Sequence, residues 1–151
     1  MPILAPTEDV ALIVHAIQLA VAPVFLLTGL GALLSVMTSR LGRVIDRARY
    51  VEGEWKAMNE TARAEARVEL GVLERRARLA YWGINACGAA ALLVCLVIAS
   101  LFVDVFIGTN LKWLAAALFI AAMIALIVGL ISFLREVYLA THTLRIGPPG
   151  E

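Results

Sequence analysis

The chain has 151 residues, 62% of them hydrophobic, with 13 basic and 12 acidic side chains and a formal net charge of +1. Its mean hydropathy is +0.88. Together with charges gathered into a few segments, this excludes a water-soluble globular domain, which would scatter charge over its whole surface.

The first element is an uncharged run over residues 10–38, preceded by an acidic start, MPILAPTEDV, with no Lys or Arg. A cleaved signal peptide carries basic residues ahead of its apolar run, so this segment reads as a retained span. A span needs about 20 apolar residues. At ~1.5 Å per residue this run is roughly 40 Å long, so it tilts, kinks or protrudes. Pro23 offers the kink, because it cannot donate to the carbonyl of Leu19.

The run ends in SVMTSRLGRVIDRARY, where Arg40, Arg43, Arg47 and Arg49 arrive within ten positions. Stepping outward from Arg47 by threes and fours gives Arg43, Arg40, Val36, Leu33 or Ala32, Gly29, Phe25, Ala22, Gln18, His15, Ala11 and Glu8. These positions share about a third of a helix circumference at ~100° per residue. A His and a Gln inside a membrane are costly unless they face protein or water. If copies of this helix surrounded an axis, the stripe would line a pore. Its outer mouth would be acidic at Glu8, its neck apolar from Phe25 past Gly29 to Leu33 and Val36, and its inner rings basic. The plainer reading of the arginines is a topology signal in contact with anionic lipid headgroups. For His15 and Gln18 it is a hydrogen bond to a neighbouring helix.

Residues 39–78 lack proline and carry two apolar stripes. Leu41, Val44, Ala48, Val51, Trp55 and Met58 form one, and Ala62, Ala66, Leu70, Leu73, Ala77 and Ala80 the other, at alternating spacings of three and four. Between them, MNET is the break, with Asn59 as helix cap and Glu60 in the first turn of the next helix. Two arms of equal length predict an antiparallel helical hairpin, packed through Leu41, Val44, Ala48, Val51, Trp55, Leu70 and Leu73. The alternative is two amphipathic helices lying on the membrane surface.

Two further uncharged spans follow, over residues 79–103 and 113–134, and a helical tail over 135–147. The ladders Gly83, Cys87, Ala91 and Ala117, Ala121, Ala125, Gly129, with Gly31 and Ser35 on the first span, predict close helix packing and a homo-oligomer. Ten of the 13 basic residues fall between the first two spans. The positive-inside rule then puts that hairpin and the carboxyl terminus in the cytoplasm and the amino terminus outside. The fold class is an all-α integral membrane protein of one domain, three transmembrane helices with a long cytoplasmic hairpin joining the first two.

Nothing points to catalysis. His15 and His142 are isolated, Cys87 and Cys95 read as small apolar residues, and there is no phosphate loop or nucleophile–base pair. No cofactor and no metal are expected. The hairpin region holds ten basic and seven acidic residues, a net of +3 (ten minus seven), too balanced for nucleic acid. The expected partners are membrane lipid, other copies of the chain and permeating ions. The rival to a channel is a non-conducting scaffold or regulator that works through the hairpin.

The run IQLAVAPVFLLTGLGALLSVMTSRLGRVIDRARYVE, residues 17–52, resembles the signature of a bacterial membrane family, domain of unknown function 2721. There a span carrying AVxPVFLLxGxGxLL leads into RLxRVxDRxR, then a charged helical stretch and two more spans. The resemblance implies three spans and a bacterial inner-membrane location. It implies no activity.

Overall fold

A computed structural model of the chain describes residues 6–107 and 112–142. Among them there is no strand. Three helices follow one another: α1 Pro6–Glu54, α2 Glu60–Ile107 and α3 Lys112–His142. All three are long and apolar enough to cross a membrane. At ~1.5 Å per residue, α1 and α2 are each roughly 70 Å long, more than twice the ~30 Å of a bilayer's hydrocarbon core. The chain is therefore an all-helical, multi-pass membrane protein. Helix α1 runs through Pro23 without interruption, and Pro23 lies on its buried side.

The helices build two compact units. One comprises residues 1–33 with 87–127, the other residues 34–86 with 128–151. In both, burial recurs every seven residues. On α1 the sealed positions are Ala16, Leu30, Met37, Val44 and Val51, with Pro23 filling the remaining step. On α2 they are Ala66, Leu73, Ala80, Cys87 and Val94, with Gly83, Ala90 and Val97 on a second such step, and on α3 Ala115 and Ala122, then Gly129 and Glu136. A period of 3.5 residues per turn keeps one seam facing its neighbours when helices wind about each other left-handed.

The small-residue ladders drawn at intervals of four meet that seam in part. Gly83, Cys87 and Gly129 are buried in it and Ala91 and Ala125 half-buried, whereas Ala117, Ala121, Gly31 and Ser35 face outward. A strict four-residue step drifts off a seam of period 3.5 within two turns. In the second unit a close helix contact lies at Gly83. A Cβ there would stand 2.5 Å from Met37 Cε and 3.3 Å from the Gly129 carbonyl oxygen. Glycine here leaves room for the Met37 side chain of α1 and lets the α2 and α3 backbones lie close together.

The break between α1 and α2 is local chemistry. Trp55 N–H donates to the Glu52 carbonyl and Ala57 N–H to that of Glu54, tightening the end of α1. The Asn59 side chain accepts from Ala62 N–H at 2.9 Å and caps α2. Arg63 donates to the Trp55 carbonyl, and the Arg67 guanidinium lies 5.6 Å from the Trp55 ring centre. Beyond the turn the arms pair as an antiparallel hairpin: Val44, Val51 and Leu73 are buried, and Leu41, Ala48, Trp55 and Leu70 are half-buried.

Hydroxyl and amide groups within the apolar runs mostly bond to their own helix. Thr28, Ser100 and Ser132 donate to the carbonyls of Val24, Val97 and Val128, and Asn85 donates to that of Tyr81. This is how polar side chains are tolerated where lipid supplies no partner.

Candidate functional site

Among the described residues, the buried charged side chain is Glu136 on α3, only 1% exposed. It occupies the next heptad step after Gly129, where the seam would otherwise hold a small apolar residue. Arg40 of α1 donates through Nε to its Oε2 at 3.1 Å. Arg76 of α2 donates to its Oε1 through Nη2 at 2.8 Å and Nε at 3.2 Å. One carboxylate thus joins all three helices, with both oxygens satisfied. The Arg40 guanidinium also lies 5.7 Å from the Phe133 ring centre, one turn before Glu136. The arginines keep part of their surface in solvent, with side chains 28% and 20% exposed. This arrangement avoids full desolvation of three charges while leaving none unpaired.

Around this clamp, Arg40, Arg43, Arg47 and Arg76 line a cleft of about 290 Å³ with Val44 and Leu73. Arg47 is paired in turn with Glu69 at 2.7 Å. That hydrogen bond, and then the carboxylate's charge, push the Arg47 guanidinium further above its ordinary value. Arg43 donates to the Ser39 hydroxyl of its own helix.

The stripe proposed to line a pore therefore divides. His15, Gln18, Ala22, Phe25, Gly29, Val36, Arg43 and Arg47 are exposed, whereas Leu33 and Arg40 are half-buried beside the seam. Counted from the buried positions of α1, His15, Ala22, Gly29, Val36 and Arg43 each stand one residue before the seam, whereas Leu33 and Arg40 stand three residues after it. The Glu8 side chain and residues 143–151 lie outside the described residues. In the first unit, His15 borders a pocket of about 360 Å³ with Leu19, Leu101, Asp104 and Lys112. Among the described residues, no group of three or more His, Cys, Asp or Glu could hold a metal ion.

Glu136 was not among the residues singled out from the sequence. Following Arg135 just past an apolar run, it reads as one more interfacial charge. The signal that finds it is the seven-residue step from Ala115 through Ala122 and Gly129. What the arrangement does chemically is hold: both carboxylate oxygens are engaged by guanidinium groups, which are poor proton donors.

No curated protein matches the chain and no solved structure does. A family model, described as protein of unknown function (DUF2721), matches residues 20–146. That range takes in the Arg-rich exit of α1, both arms of the hairpin, and Glu136. The chain is a member of the DUF2721 family.

Proposed function

We propose that copies of this chain assemble through the outward face of α1 and that this face lines a gated path for ions. The observation that carries the reading is Gln18. It lies in an uncharged apolar run, is exposed, and has no hydrogen-bond partner among the described residues. The hydroxyls of Thr28, Ser100 and Ser132 bond to their own helices, whereas a carboxamide left toward lipid is costly. A water-filled axis or a second copy removes that cost. The outward face of α3 instead presents Ile120, Ile124 and Ile127, which suit lipid. In this reading Phe25, 72% exposed, forms the neck. The inner cationic ring falls to Arg43, because Arg40 and Arg47 are already engaged by Glu136 and Glu69.

The rest of the reading follows from the charge distribution. In this reading the concentration of basic residues between α1 and α2 favours a cytoplasmic hairpin with the amino terminus outside, and the resemblance of residues 17–52 to the family signature favours a bacterial inner membrane. The protein is not an enzyme here, and it engages lipid, its own copies and ions rather than nucleic acid.

A second reading is a non-conducting scaffold. It is favoured by the hairpin surface, where Val68 is 71% and Tyr50 62% exposed. The hairpin's own apolar seam is filled from within the chain, so a partner would meet these outer side chains.

Planar-bilayer recording of the purified protein, wild type beside Phe25→Ser and Arg43→Glu, separates the two. The channel reading expects single-channel steps, larger or more often open with Phe25→Ser, and altered ion selectivity with Arg43→Glu. Silence from all three inserted, folded proteins rejects it in favour of the scaffold.

A further inference from the structure

We infer that the second unit carries a binding site for the headgroup of an anionic phospholipid, in the groove between α2 and α3 walled by Arg75, Arg78, Arg135 and Trp82. The groove has a volume of about 580 Å³, and Leu79 and Leu139 complete its walls. It is separate from the Glu136 clamp and does not depend on ion conduction.

The cations stand at the polar edge of two apolar runs at once. Arg75 and Arg78 precede the run that begins at Leu79, and Arg135 follows the run that ends at Leu134. This is the depth of a phosphate layer. Trp82, 66% exposed, lies one turn inside it, where indole rings settle with one edge apolar and one polar. Arg78 is paired with Glu74 at 3.0 Å. Arg75 and Arg135 have no ion pair among the described residues. The arginine-lined cleft between α1 and α2 differs in this respect, since three of its four cations are taken by Glu136 and Glu69.

Two uncommitted guanidinium groups, one from each wall, can share the oxygens of a single phosphate. Leu79 and Trp82 then offer apolar contact to the glycerol and upper acyl chain. A soluble phosphate would use the cations but not those walls, so the occupant is the lipid.

The test uses the full chain with Trp82 as its sole tryptophan (Trp55→Phe, Trp113→Phe), reconstituted in phosphatidylcholine vesicles. Brominated phosphatidylglycerol or brominated phosphatidylcholine serves as the quencher. Trp82 fluorescence should be half-quenched at a mole fraction of phosphatidylglycerol on the order of 25-fold lower than of phosphatidylcholine, from about fivefold for each of the two uncommitted arginines. Arg75→Gln with Arg135→Gln should abolish most of that preference while phosphatidylcholine still quenches, which shows the protein inserted. If the double variant does not insert, each single variant should lose about half the preference on a logarithmic scale. Arg49→Gln with Lys56→Gln, basic residues outside the groove, should leave it intact.

Equal quenching by the two lipids overturns the site, as does a preference that survives the groove variants or falls equally with the control pair. Reversal of the preference by millimolar inorganic phosphate would reassign the groove to a soluble anion and overturn the lipid.

Discussion

Arg76 and Glu136 lie 60 positions apart in the chain and meet at 2.8 Å, on a carboxylate whose side chain is 2% exposed. Arg40 reaches the other oxygen of the same group. A charge buried at a helix seam is held only by what opposes it, so loss of any one of these three residues leaves the others uncompensated.

Removing that carboxylate should be costly. Glu136→Gln leaves two partly buried guanidinium groups without their counter-charge, and the expected loss is about 3 kcal/mol, the lower end for a broken buried pair because the arginines keep some solvent. Equilibrium unfolding of the purified protein in mixed micelles measures it. Replacing all three partners with apolar residues (Arg40→Met, Arg76→Leu, Glu136→Leu) should recover most of the loss. A triple variant as unstable as Glu136→Gln would mean that the charges themselves, and not their pairing, sustain the fold.

The neighbouring pair Arg47–Glu69 should behave differently. Both side chains are well exposed, 53% and 40%, so Glu69→Gln is expected to cost no more than about 1 kcal/mol, with the difference vanishing in high salt. Because Glu69 raises the Arg47 guanidinium, the arginine's share is present below its ordinary value and lost only as pH rises through the raised one. Stability near neutrality should therefore show no pH step from Arg47. Unfolding at low and high salt for both variants checks the contrast; a loss at Glu69 as large as at Glu136, and insensitive to salt, would contradict it.

Gly83 should tolerate little. An added methyl meets the flexible end of Met37 at 2.5 Å and the Gly129 carbonyl, which is backbone, at 3.3 Å. Gly83→Ala is expected to destabilise mildly and Gly83→Val by about 1–3 kcal/mol through overpacking. Shortening Met37 to Ala should relieve the alanine variant but not the valine one, since the carbonyl cannot retreat. A thermal-unfolding double-mutant cycle reads the coupling, and strict additivity would count against the contact.

Asn59 is the simplest local device. Its side chain caps α2 through Ala62 N–H, so Asn59→Ala should lower stability by about 1 kcal/mol and Asn59→Asp by little or nothing. Hydrogen exchange at the first turn of α2 should rise in the alanine variant alone.

The amino-acid sequence by itself determined the three apolar helices, the break before Glu60 and the seam through Val44, Val51 and Leu73. These depend on composition and on spacing within a few turns, and near neighbours suffice to set them. It also carried the family, through RLGRVIDRAR. Only the tertiary structure decided which charges are committed. Arg40, Arg43 and Arg47 look alike along α1, yet one is drawn to Glu136, one to Glu69 and one to its own helix. Their fates depend on residues up to 96 positions away. Arg40 and Arg47, seven residues apart, share one flank of the seam at different heights, where the facing helices offer Glu136 and Glu69 respectively, whereas Arg43 stands one residue before the buried Val44.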